Sequence, residues 1–157
     1  MVTEGDMAPQ FTLPTDGGGH FNLASRKGGL VVLYFYPKDD TSGCTKQAQM
    51  FSESLDEFRA HGAEIVGVSP DSVKSHDKFK QKHDLGVTLV ADEDKKAIEA
   101  YGVWAEKKMY GKAYMGVERS TFLIDGQGRI AKAWRGVKVP GHAEEVLAAV
   151  KALKAGG

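Results

Sequence analysis

Tyr36-Pro37-Lys38-Asp39-Asp40-Thr41-Ser42-Gly43-Cys44-Thr45 is the stretch on which the fold turns, because a buried strand ends at its start and a helix begins at its finish. Upstream, residues 30–36 form an unbroken aliphatic and aromatic run, the pattern of a strand covered on both faces of a sheet. Downstream, Cys44, Ala48, Phe51, Leu55 and Phe58 recur at steps of four, three, four and three. That spacing places them on one helical stripe, while Lys46, Gln47, Glu53, Asp56, Glu57 and Arg59 face elsewhere. The helix is expected to end near His61-Gly62. Cys44, the only cysteine, then lies in the first helical turn and points toward the core.

The elements beyond this stretch alternate. Residues 63–68 form a short strand carrying the β-branched Ile65, Val66 and Val68, and Ser69-Pro70-Asp71-Ser72 supplies a helix start. The helix over 72–83 has few apolar positions, mainly Val73 and Phe79, and is read as a surface helix. Residues 87–90 give another strand, and Asp92-Glu93-Asp94 opens a short helix that Gly102 terminates. Residues 109–116 mix glycine with aromatic side chains without a period and are read as irregular. Residues 120–124 and 129–134 flank Asp125-Gly126-Gln127-Gly128, a hairpin signal. In the last helix, residues 141–154, Val146, Leu147, Val150 and Leu153 share the face that packs on the sheet.

At the N-terminal side, Phe11-Thr12-Leu13-Pro14 and His20-Phe21-Asn22-Leu23 read as a hairpin around Asp16-Gly17-Gly18-Gly19. No Lys-Ser or Lys-Thr pair follows these glycines, so they form a turn and not a phosphate cradle. Together the elements predict an α/β fold: a mixed, mostly parallel central sheet flanked by helices, with an N-terminal hairpin extension. The 157 residues suit a single domain over 1–157 that buries roughly two thirds of its unfolded surface.

Lys plus Arg and Asp plus Glu both number 21 and the signs alternate, which argues against a dedicated nucleic-acid or anionic-membrane binder. Neither a secretory leader nor an apolar membrane-spanning stretch is visible, so the protein is expected to be cytoplasmic. A lone cysteine forms no internal disulfide.

The start of a helix favours an anion, and a thiolate is one. Against the plain alternative of a small buried hydrophobe stand that placement, the neighbouring Thr and Ser, and Gly43, which lets backbone approach closely. A dithiol mechanism of the Cys-x-x-Cys kind is excluded, because position 47 is Gln. One Cys with the scattered His20, His61, His76, His83 and His142 gives no zinc spacing; the histidines are read as surface residues, and no cofactor or metal is expected. A Cys–His pair of the papain kind stays open on sequence. A helix terminus contributes about 0.3 to 1 kcal/mol to an anion, whereas a hydrogen bond to a charged group contributes about 1.5 to 3. A thiolate here therefore calls for donors and a cation. Thr41 offers a hydroxyl. If the sheet is thioredoxin-like, Arg119 and Arg135 both fall at the site end, Arg129 lies by the distal turn, and Arg59 is about 22 Å along the helix.

The chain resembles the peroxiredoxins, in particular the bacterioferritin comigratory protein or peroxiredoxin Q group. The likeness rests on Tyr-Phe-Tyr-Pro-Lys-Asp-Asp-Thr at 34–41, Gly-Cys-Thr at 43–45, Val-Ser-Pro-Asp-Ser at 68–72 and Tyr-Gly-Val-Trp at 101–104. It continues through Arg-Ser-Thr-Phe-Leu-Ile-Asp at 119–125 and Gly-His-Ala-Glu-Glu-Val-Leu at 141–147. The resemblance implies a thioredoxin-like fold and a peroxidatic Cys44 that attacks hydrogen peroxide or an organic hydroperoxide. Thr41 and Arg119 would hold the peroxide oxygens, and Pro37 would wall the pocket from water. Ser42 stands where the group often has proline, and the usual resolving positions carry Gln49 and Lys80, so a one-cysteine type is implied. The oxidised sulfur would then need an external thiol, thioredoxin or glutathione with glutaredoxin, and the chain would be a monomer or at most a weak dimer. A redox sensor that forms mixed disulfides with a partner protein, and a peroxiredoxin-like fold acting as a holdase or interaction module, are the competing readings.

Overall fold

The computed structural model describes residues 2–156. An N-terminal hairpin comes first, β1 (Thr12–Pro14) against β2 (His20–Asn22), closed by the Asp16–Gly18 turn. Its Asp16 carboxylate accepts from Lys80 Nζ at 2.9 Å and from the Leu89 amide at 2.8 Å, which ties the extension to the main body.

The expected buried strand is β3 (Leu30–Phe35), followed by α1 (Ser42–Glu53), α2 (Leu55–Ala60) and β4 (Ala63–Ser69). Then come α3 (Val73–His83), β5 (Thr88–Ala91), α4 (Lys96–Ala100), the pair β6 (Trp104–Met109) and β7 (Lys112–Val117), β8 (Ser120–Ile124), β9 (Ile130–Trp134) and α5 (His142–Gly156). The central sheet has the order β5-β4-β3-β8-β9. β3, β4 and β5 run parallel, while β8 is antiparallel to β3 and β9 to β8. Parallel strands joined by helices bury both faces, and two cores result. One holds Tyr34, Tyr36, Cys44, Phe51, Phe58, Phe79, Leu123 and Val146, and the other holds Phe35, Val66, Val68, Tyr101 and Phe122. Alternation along β3 decides which residue enters which core.

In the β3–β4 register Tyr34 faces Gly67. A Cβ at position 67 would lie 2.7 Å from the Tyr34 ring, so only glycine admits this tyrosine.

Four expectations need correction. The first helix does not run unbroken to residue 61, because Ser54, at φ −97 and ψ 4, separates α1 from α2. The bonds Ser54 N–H to Met50 O and Phe58 N–H to Ser54 O span the break, and the stripe Cys44, Ala48, Phe51, Leu55, Phe58 stays buried throughout. Residues 109–116, read as irregular, belong to the antiparallel pair β6–β7, closed by Tyr110 and Gly111 at φ 53 and 77. Two successive left-handed residues make a tight hairpin turn. The histidines are not all superficial, since His76 is 0% and His142 5% exposed. α3, finally, is not merely a surface helix: Phe79 and His76 both enter the interior.

No helix among the described residues is long and apolar enough to cross a membrane.

Candidate active site

β3 delivers the chain to the site. Its hydrogen bonding to β4 continues one residue past its end, with Tyr36 N–H on Val68 O at 3.0 Å. Half-buried Pro37 then turns the chain away from the sheet. Asp40 adopts the left-handed conformation, φ 61, and Thr41 returns to extended backbone as the residue before α1. The Thr41 carbonyl accepts from the Thr45 amide at 2.8 Å, closing the first helical turn, so Cys44 sits in that turn with its free N–H groups nearby.

Cys44 is a free cysteine, 2% exposed. Arg119 Nη2 donates to its Sγ at 3.2 Å. The arginine arrives from the residue before β8, and since Ser120 pairs with Phe35 the antiparallel register brings it to the same end of the sheet as the cysteine. A Cβ on Gly43 would lie 3.3 Å from Arg119 Nη2, so the absence of a side chain there leaves the guanidinium its path. A second guanidinium nitrogen, Nη1, donates to Gln47 Oε1. Gln47 is 2% exposed, against the expectation that it faces away. It lies one helical turn beyond Cys44 and therefore on the same side of α1; that spacing was the signal for it.

The two other candidate donors, Thr41 and Arg135, do not bond the sulfur. Thr41 Oγ1 donates to Lys38 O at 2.8 Å and not to the sulfur, so its hydroxyl braces the turn in this state. Arg135 reaches the site end of the sheet but turns away from Cys44, donating to the carbonyl oxygens of Val2, Tyr101 and Gly102. Neither buried histidine bonds Cys44: His142 Nε2 pairs with Thr121 Oγ1 and His76 with Asp39 and Val90 O. The papain-like arrangement is thus absent from these contacts. Among the described residues no group of His, Cys, Asp and Glu could hold a metal ion.

Charge around the sulfur comes from one more direction. On β6, Lys107 has its pKa lowered by burial first and by the Arg119 charge second, with Cys44 and Glu118 pulling the other way. The stem of Lys107 crosses Gly116, where a Cβ would lie 3.3 Å from Lys107 Cδ. The hairpin misread from sequence therefore carries a half-buried cation to the edge of the site.

A lone thiol at a helix start, held by an arginine on a mixed five-stranded sheet, is the arrangement of a cysteine peroxidase. The model of the AhpC/TSA family matches residues 4–133, and the chain belongs to that family. Its relatives make it a peroxiredoxin of the Bcp and peroxiredoxin Q group, that is, a thiol-dependent peroxidase. It is 50% identical to "Peroxiredoxin Bcp" of Bacillus subtilis over 147 residues, 94% of either chain. To "Peroxiredoxin Bcp" of Escherichia coli it is 41% identical over 143 residues, 91% of this chain and 92% of that one. Among solved structures, Xanthomonas campestris peroxiredoxin Q superposes with a TM-score of 0.88 at 49% identity, covering 92% of this chain and 91% of the other. The fold is accordingly the thioredoxin-like peroxiredoxin fold.

Proposed function

We propose that Cys44 is the peroxide-reactive thiol and that Arg119, Thr41 and Pro37 form its pocket, in a one-cysteine cycle completed by an external thiol. The observation that carries this is the Arg119 Nη2 contact with Cys44 Sγ at 3.2 Å, in the first turn of α1. The cation and the helix start both favour the thiolate.

In the first step the thiolate attacks the terminal oxygen of a hydroperoxide. The S–O bond forms as the O–O bond breaks, Cys44 becomes a sulfenic acid, and the leaving oxygen takes a proton to depart as water or an alcohol. Arg119, with Nη1 fixed by Gln47, faces the negative charge that develops on the peroxide oxygens. Thr41 joins it by turning its hydroxyl from Lys38 O. Alkyl hydroperoxides enter as substrates by analogy with the Xanthomonas campestris bacterioferritin comigratory protein, whose structural study concerns alkyl peroxide reduction activity.

In the second step an outside thiol displaces the sulfenate oxygen as water and leaves a mixed disulfide. A second thiol then releases Cys44 and carries away the disulfide. The chain holds no other cysteine, and Lys80 is engaged with Asp16. Thioredoxin, or glutathione with glutaredoxin, is the proposed donor, in a cytoplasmic monomer.

Peroxide consumption with dithiothreitol tests the scheme. Wild type is expected to turn over and Cys44→Ser to be inactive; equal slow consumption by both removes Cys44 from the reaction. Intact mass after one equivalent of peroxide, without reductant, should show a gain of one oxygen on a monomer. A covalent dimer as the main product at low protein concentration would show instead that Cys44 resolves against a second copy.

A further inference from the structure

The turn that leads into Cys44 is fastened to one helix through two consecutive carboxylates. Asp39, 8% exposed, accepts from Tyr36 Oη at 2.6 Å on one oxygen. On the other it meets Ser75 Oγ at 2.8 Å and His76 Nδ1 at 2.7 Å. Its backbone N–H donates to Asp71 Oδ2 at 2.8 Å, just ahead of α3. Asp40, next in sequence, accepts from Lys82 Nζ at 2.7 Å and from His83 Nε2 at 2.8 Å. Every partner except Tyr36 comes from α3 or the segment before it. By contrast, the Thr41 hydroxyl bonds locally, to Lys38 O.

His76 is the buried centre of this fastening. Its Nδ1 faces a carboxylate oxygen and its Nε2 faces the Val90 carbonyl at 2.9 Å. Both are acceptors, so each ring nitrogen must carry a proton to make its bond, and the ring is then an imidazolium. Burial opposes the charge, but the Asp39 hydrogen bond and charge, the Val90 carbonyl and the Asp71 charge outweigh it and raise the histidine's pKa. The titratable groups around the ring are Asp39 from the turn, Tyr36 from the end of β3 and Asp71 ahead of α3.

We propose that His76 and Asp39 are positioning residues for Cys44: a buried imidazolium–carboxylate pair locks the turn of residues 37–41 to α3 and so sets the place of Pro37, Thr41 and the first turn of α1. The pair acts on both sides of the thiol. Through the backbone of Asp39 it holds the residues on either side of the Thr41–Lys38 bond. Through Tyr36 it reaches Tyr34, whose ring lies 5.5 Å away and packs at 4.9 Å on Phe51, one of the residues that share the Cys44 stripe. Removing either partner leaves the other charge buried without compensation, which releases the turn toward water.

The proposal rests on Cys44 being the peroxide-reactive thiol, and two measurements separate it from that reading. Nitrogen-15 spectra of the histidine rings in the wild type should show both nitrogens of His76 predominantly protonated at pH 6.5, where a free histidine is about half protonated. A single protonated nitrogen overturns the proposal whatever the activity. The second measurement is the rate at which peroxide oxidises Cys44 in His76→Gln and Asp39→Asn, followed by stopped flow across pH. A displaced reacting group costs on the order of 10- to 100-fold, and that loss is expected in both variants. In the wild type the rate should also decline at alkaline pH as His76 loses its proton, and His76→Gln should lack that limb; a merely structural histidine would leave the limb where it was. Rates within about twofold of wild type, or an unchanged alkaline limb in His76→Gln, overturn the proposal. If the variants fail to fold, the ring protonation and the wild-type alkaline limb still decide it.

Discussion

Arg119 and Arg135 begin from almost the same position and end on opposite faces of the sheet. One immediately precedes β8, the other immediately follows β9, and the pairing of Thr121 with Trp134 puts both at the end of the sheet where Cys44 lies. Arg119 shares a face with Thr121 and Leu123, the side of Cys44, Phe51 and His142. Arg135 falls on the other face, its guanidinium 5.2 Å from the centre of the Phe122 ring, and closes onto the carbonyls of Tyr101 and Gly102 after α4. Topology brings a cation to the correct end of a sheet; the two-residue period of the strand decides which core receives it.

The largest effect expected from this contrast is on the chemical step. Losing one preorganised donor to a developing oxyanion costs on the order of 100- to 1,000-fold in rate, so Arg119→Met should slow peroxide reduction by that amount. Iodoacetamide alkylation of Cys44 at pH 7 should slow with it. Arg135→Met should leave both rates near wild type, and a larger loss there than in Arg119→Met would reverse the assignment.

Stability should show the opposite order. The carbonyl oxygens of Val2, Tyr101 and Gly102 lose a charged donor in Arg135→Met, and denaturant titration should report a cost of about 1 to 3 kcal/mol. Arg119→Met should cost less, since its partners are the single sulfur and Gln47. Equal losses would mean that the two arginines differ in chemistry but not in structural role.

A smaller rate effect tests how Arg119 is aimed. Gln47→Leu keeps the volume and removes the acceptor of Nη1, and a loss of about tenfold in peroxide rate is expected from a guanidinium free to tilt. A rate equal to wild type would show that the bond to Cys44 aims the arginine by itself.

The smallest and most discriminating effect lies at His142. Its pKa is lowered, by burial first and by the Arg119 charge among the lesser causes, while Glu145 opposes. Because the neutral ring is the folded form, its contribution to stability is present above the histidine's ordinary pKa of about 6.5 and is lost as pH falls through the lowered value. In Arg119→Met the His142 titration should move up, and in Arg135→Met it should stay where it was. Movement in both would mean that the sheet does not separate the two charges.

Much of this was written in the chain. The apolar run into β3, the stripe from Cys44 to Phe58 and the Asp125–Gly128 turn each repeat a period or a turn chemistry that one window of sequence displays. The β6–β7 hairpin does not. Lys107, Lys108, Met109, Lys112, Tyr114 and Met115 alternate no apolar face, because β6 and β7 form a separate two-stranded sheet that stands partly in water. Its turn is Tyr-Gly where Asn-Gly would have announced it. The break at Ser54 was silent for another reason: the step from Phe51 to Leu55 keeps the stripe in register across it. His76 stands between Val73 and Phe79 at steps of three and so shares their face, but a histidine carries no apolar signal, and only its partners, Asp39 from the turn and Val90 from β5, give it a reason to be inside. Gln47 escaped notice in the same way, since its role depends on an arginine 72 residues distant.

The exposed hairpin has a consequence for handling the protein. Tyr110, 97% exposed, tops the separate two-stranded ladder of β6 and β7, and lysines stand at 107, 108 and 112 beside it. Such tips are where a protease first finds flexible backbone. Brief trypsin treatment should nick the chain there while the five-stranded sheet stays intact, leaving two fragments held together: Cys44 in the larger N-terminal piece, Arg119 in the other. Their separation under denaturant and recombination afterwards would turn the enzyme into a two-part complementation pair, joined at the place where its cysteine meets its arginine.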